Sequence, residues 1–136
     1  MSFTLQRFSR QLGLRARSRF AIPGATVSWM INGQESCPDK SFPLSDISKG
    51  GLSFLTNDPP EVKSELLLVI ALPKNPDTIQ LRGTVAYSTP RGPRLTYAYR
   101  VGVEFQPFAL EDGCNSFTSR EAIEALERIY GRHKRD

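Results

Sequence analysis

Two clusters in this chain combine residue types and spacings suited to holding a small anion. The first is "RARSR", Arg15 to Arg19, which sets two arginines four residues apart with Arg17 between them. A guanidinium is a planar fork. It donates two parallel hydrogen bonds to phosphate oxygens, or to the O6 and N7 edge of guanine. Two such forks on a short arm make a clamp for something small, anionic and purine-bearing; a solvated arginine-rich terminus is the plainer alternative. The second cluster is "DISKGG", Asp46 to Gly51, at the mouth of the apolar run "GLSFL". Asp46 can accept hydrogen bonds from a guanine edge or orient an arginine, and Ser48 can both donate and accept. Gly50 and Gly51 remove the side chains that would keep a ligand off the backbone. The competing reading is an Asx-type turn in which Asp46 and Ser48 bond their own main chain ahead of a strand.

Charge follows the first cluster. The net charge is +4, from 18 Lys and Arg against 14 Asp and Glu over 136 residues. Arg7, Arg10, Arg15, Arg17 and Arg19 all fall in the first twenty residues, which hold no acid, so the remainder of the chain is slightly acidic. A basic arm favours an anionic partner such as phosphate, nucleic acid or an acidic protein. A long nucleic acid would also need basic and aromatic residues spread along the rest of the surface. The acidic remainder argues against that, although small barrels do bind single strands.

No catalytic set accompanies these clusters. His133 is the sole histidine and lies in a basic tail, so histidine-based nucleophilic or metal chemistry lacks a second member. Cys37 and Cys114 lack metal-ligand spacing, and two distant cysteines fit a reduced, cytoplasmic protein better than a secreted scaffold. Glu111 and Asp112 precede a glycine in a stretch that reads as a water-facing loop. No phosphate-binding P-loop or dinucleotide fingerprint is present. The expectation is a protein that is not an enzyme and carries no metal or cofactor. The longest apolar run, Leu66 to Leu72, is far short of the roughly 20 residues of a membrane span. Arginines interrupt the start of the chain where a signal peptide would be apolar, so no membrane insertion is expected.

The elements that must position the clusters are mostly strands. Val27 to Ile31 alternates and ends on the Asn32-Gly33 turn signal. Phe42 to Ile47 reads as a strand despite Pro43, Leu52 to Thr56 stops at "NDPP", and "ELLLVIAL" stops at Pro73. "IQLRGTVAY" alternates Ile79, Leu81, Gly83, Val85 and Tyr87; "STPRGPR" reads as a loop; "YAYRVGVEF" alternates Tyr97, Tyr99, Val101, Val103 and Phe105. No gap is long enough for crossover helices, so an antiparallel barrel or sandwich is expected. Residues 3–12 are compatible with a short helix through Phe3, Phe8 and Leu12. A closing helix is signalled by a capping box, Thr118 with Glu121, and by Ala122, Ile123, Leu126, Ile129 and Tyr130 at helical spacing. Its apolar stripe would pack on the barrel or, alternatively, take a partner. The chain divides into a basic arm (1–14), a β domain (15–112) and a helix with a basic tail (113–136).

Arg15-x-x-x-Arg19 followed by Asp46-x-Ser48-x-x-Gly51, with a strand and a turn between them, resembles the PilZ domain family. "LRGTVAY" and "YRVGVEF" look like that family's later strands. The resemblance covers about residues 15 to 108, and the final helix is also similar to the family's usual end. It implies a six-stranded antiparallel β-barrel that binds the bacterial second messenger cyclic di-GMP. Carried over, Arg15 and Arg19 would hold phosphates and guanine edges, Asp46 and Ser48 would contact a guanine, and Gly50 and Gly51 would permit close approach. Tyr87 would stack beneath a base or simply pack on the barrel. Lys49 occupies a variable position. With five like charges, the arm should be mobile until ligand folds it onto the barrel. Without an output domain, such a protein would act as an adaptor on an effector protein serving polymer synthesis, flagella or pili. The rival readings are a PilZ-like module that binds protein without nucleotide, and a small barrel that binds RNA or single-stranded DNA.

Overall fold

The computed structural model describes residues 19–33 and 40–131. Arg15, Arg17, the helix expected over residues 3–12, Cys37 and His133 lie outside the described residues. The chain forms strands β1 (Thr26–Ile31), β2 (Phe42–Ile47), β3 (Gly51–Thr56), β4 (Glu65–Ala71), β5 (Thr78–Pro90) and β6 (Tyr99–Phe105), then helix α1 (Phe117–Tyr130). The strands close into an antiparallel barrel in the order β1-β2-β3-β6-β5-β4. Closure decides for the barrel over the sandwich. Every connection is short because each antiparallel neighbour is reached by a turn or by one step across the barrel.

Alternation sets the core. Leu66, Leu68 and Ile70 of β4 and Val101, Val103 and Phe105 of β6 point inward and are buried, with Leu52 and Phe54 of β3. Phe20 is fully buried and bridges Ile47 through reciprocal backbone hydrogen bonds of 3.0 and 2.9 Å. That bridge fixes Arg19, the preceding residue, beside the end of β2.

Two bulges break the strict period. In the β2–β3 ladder Leu44 pairs with Phe54 but Asp46 pairs with Ser53, so two steps on β2 match one on β3. In the β5–β6 ladder Val85 pairs with Val103 but Tyr87 pairs with Gly102. An extra residue turns the following side chain to the other face. Tyr87 therefore does not share the inward face of Ile79, Leu81 and Val85 that simple alternation assigns it. β5 also runs through Ser88 to Pro90, which the sequence places in a loop, because these residues pair with Tyr99 to Val101. Tyr97 falls in the turn before β6, its ring edge-on to Phe42 at 6.5 Å.

The helix starts two residues earlier than the Thr118–Glu121 box implies. Ser116 is the N-cap, and its Oγ accepts from the Ser119 backbone N–H at 3.1 Å. The physical reason lies one residue before. Asn115 is buried and pinned to β5: its Oδ1 accepts from the Arg82 backbone N–H at 2.7 Å. Its Nδ2 donates to the carbonyls of Arg82 and Gln106 at 3.0 and 2.9 Å. Ile123 of α1 enters the core, with Ala122, Leu126 and Tyr130 packed partly against it. Ile129, expected on this stripe, is 59% exposed.

Candidate functional site

The bulges have a joint consequence. Asp46 on β2 pairs with Ser53 on β3, Ser53 with Gly102 on β6, and Gly102 with Tyr87 on β5. These four residues form one row across four adjacent strands. Leu52, Phe54, Val101 and Val103 face the core, so the row lies on the outer surface.

Asp46 is the centre of its polar chemistry. Ser53 Oγ donates to Asp46 Oδ1 at 2.7 Å. Arg19 Nη1 and Arg100 Nη2 both donate to Asp46 Oδ2, at 3.2 and 3.0 Å. Arg100 Nε also donates to Ser53 Oγ at 3.4 Å. One carboxylate is thus shared by two guanidiniums, and the three side chains together carry an excess of positive charge. The Asp46 and Arg19 side chains are 15% and 20% exposed, and Arg100 is 39% exposed. This half-buried setting strengthens their mutual attraction relative to open solvent and still leaves guanidinium surface available to an anion. Asp46 here orients arginines and does not close an Asx turn on its own main chain.

Ser48 does brace the turn. Its Oγ accepts from the Gly50 backbone N–H at 3.1 Å, its own N–H donates to the Gly51 carbonyl at 2.8 Å, and the residue is 5% exposed. Gly51 is buried, and a Cβ there would overlap the Val103 carbonyl oxygen of β6. The close approach that demands glycine at this position is therefore already made within the protein. Gly50 is exposed and its carbonyl accepts from the Phe105 N–H at 2.9 Å. Lys49, between Ser48 and Gly50, lies 3.9 Å from Glu124 of α1, which Arg120 also reaches at 3.4 Å. Tyr87 lies over Gly102, where any Cβ would overlap the ring.

The structure thus gathers Arg19, Asp46, Ser48, Gly50, Gly51 and Tyr87 on or beside one outer face, whereas Arg15 lies outside the described residues. Sequence reasoning missed Ser53 and Arg100. Both occupy polar positions of strands whose alternate residues are apolar, which signals an outward aim but not a shared partner. Among the described residues no group of His, Cys, Asp and Glu has the geometry to hold a metal ion, and no helix is long and apolar enough to cross a membrane.

A closed antiparallel barrel with an arginine-bearing outer face and one trailing helix is a small β-barrel domain. The family is narrower: the model of the PilZ domain matches residues 14–121, and this chain belongs to that family. It is a family of non-catalytic regulatory modules, cyclic di-GMP-related receptors and adaptors among them. Among solved structures, the fold is similar to that of the Bacillus subtilis inhibitor of motility MotI/DgrA. The TM-score is 0.55, with 17% sequence identity over 82% of this chain and 49% of that one. This chain therefore spans about half the length of that relative, and at this identity the likeness concerns the fold alone. No curated protein matches the chain.

Proposed function

We propose that this protein is a non-enzymatic, cytoplasmic receptor for cyclic di-GMP that passes its signal to a protein partner by changing the surface it presents. The observation that carries this reading is the convergence of the Arg19 and Arg100 guanidiniums on Asp46, in the same outer row as Tyr87. An incoming phosphodiester offers the arginines a second acceptor, Tyr87 offers a base a flat aromatic face, and Arg15 would add a further fork. Charge-assisted hydrogen bonds contribute on the order of 1.5–3 kcal/mol each and a stacked base roughly 1–3 kcal/mol. Four such bonds and one stack give about 7–15 kcal/mol gross against the about 8 kcal/mol of a micromolar complex, and the upper part of that range offsets the several kcal/mol lost in ordering ligand and arm. The solved relative named an inhibitor of motility supports motility as one output; flagella, polymer synthesis and pili are the outputs the family suggests.

One observation favours a second reading, in which the domain docks on protein without nucleotide. Both Asp46 oxygens already have donors, so the carboxylate is satisfied as it stands. Titration calorimetry with cyclic di-GMP on the wild type and on Arg19→Ala separates the two. Micromolar or tighter binding that is lost in the variant is expected, and a silent wild type overturns the receptor reading. A shallow salt dependence, as befits two phosphate charges, would further exclude a long nucleic acid, whose affinity falls steeply with salt.

A further inference from the structure

We propose that Ser53, which belongs to neither sequence cluster, is a positioning residue that aims the Asp46 carboxylate at the two arginines. This inference rests on the receptor reading above. Ser53 is the only member of the outer row that is both polar and fully enclosed, at 0% exposure. A buried hydroxyl in the middle of a strand is costly unless paired, and its 2.7 Å bond to Asp46 Oδ1 is the shortest of the contacts to that carboxylate described above. That bond fixes one oxygen of a planar group and thereby fixes the other. Oδ2 is left facing the gap where Arg19 Nη1 and Arg100 Nη2 meet it. Ser53 Oγ also accepts from Arg100 Nε at 3.4 Å, so the hydroxyl proton has one direction left to point, towards Asp46.

The backbone places it there without adjustment. Ser53 pairs directly with Asp46 on one side and with Gly102 on the other. The bulge just before Asp46 brings the carboxylate onto the serine's face. Without Ser53 the carboxylate can rotate about its last torsion, and the two guanidiniums lose a defined common acceptor. Preorganisation of the arginines is lost rather than any contact with ligand.

The test is a double-mutant cycle in cyclic di-GMP affinity on the full chain: wild type, Ser53→Ala, Asp46→Ala and the pair. Ser53→Ala is expected to weaken binding by about tenfold, equivalent to about 1.4 kcal/mol. In the Asp46→Ala background the same change is expected to cost less than about twofold, because nothing remains to be aimed. A role in stability alone cannot give this pattern, since loosening the strand would weaken binding equally in both backgrounds. Equal losses in both backgrounds, or an unaltered single variant, overturn the inference and leave the receptor reading standing. A wild type that binds no cyclic di-GMP overturns that reading and this inference with it. Urea denaturation of all four proteins confirms that each is folded at the temperature of the titration.

Discussion

The outer surface of this barrel has two sides built from the same strand pattern. On the β2-β3-β6-β5 side, the outward positions hold Asp46, Ser53, Arg100 and Tyr87, and the polar atoms of the first three bond to one another. On the β1-β4-β5 side, the outward positions include Met30, Leu67 and Val69, half-buried and apolar, lining a groove of about 620 Å³ with Arg82, Cys114 and Ser119. This groove is thus not where the charged cluster sits. Concavity is the usual pointer to a ligand site, but this groove holds no convergent set of charges. It is the crevice left where α1 leans on β5. β5 serves both sides, with Gln80 and Arg82 at the groove and Tyr87 at the polar row. What separates the two is the bulge between them, after which the outward positions change parity.

The sharpest test of this contrast is functional. Arg19→Ala should weaken cyclic di-GMP binding by about a hundredfold, since truncating one partner of a half-buried charged network costs roughly 2–5 kcal/mol. Leu67→Thr, on the groove side, should leave affinity within about twofold. Equal sensitivity to the two changes in calorimetry would erase the distinction.

A smaller effect probes the floor of the polar row. Gly102→Ala forces the Tyr87 ring off its seat and should destabilise the fold by about 1–3 kcal/mol in urea denaturation, as overpacking does. Adding Tyr87→Ala should restore part of that loss. If Gly102→Ala costs nothing, the ring is not held against the strand. On the groove side, Ser116→Ala should cost about 1 kcal/mol through the lost cap, and Thr118→Ala well under half of that. Thermal melts in which the order is reversed would return the cap to Thr118. Leu67→Thr should likewise change stability by no more than about 1 kcal/mol, because the residue faces outward and is only half-buried.

These particulars show where sequence reading reaches and where it stops. The six strands are legible either from alternation of apolar and polar residues, as in "IQLRGTVAY" and "YRVGVEF", or from an apolar run closed by a turn signal, as in "ELLLVIAL" before Pro73. The bulges are not. Leu44 and Asp46 are two apart, as are Val85 and Tyr87, so alternation puts each pair on one face. Only the residue count on the partner strand reveals otherwise. Ser53's outward aim follows from its place between Leu52 and Phe54, but its enclosure depends on arginines distant in sequence. Gly51 was legible as a point of close approach; what approaches is the β6 backbone. The cap was misassigned because two hydroxyl residues, Ser116 and Thr118, both fit, and the pinning of Asn115 decides between them.

Asn115 carries a last consequence. Its single carboxamide meets three backbone groups, the N–H and carbonyl of Arg82 on β5 and the carbonyl of Gln106 just past the end of β6. The helix is thereby fastened at its root to the barrel wall rather than suspended from the peptide that leads to it. The exposed loop over residues 110–113 then only links the two, and the chain should tolerate a nick or an insertion at its tip with the helix still seated.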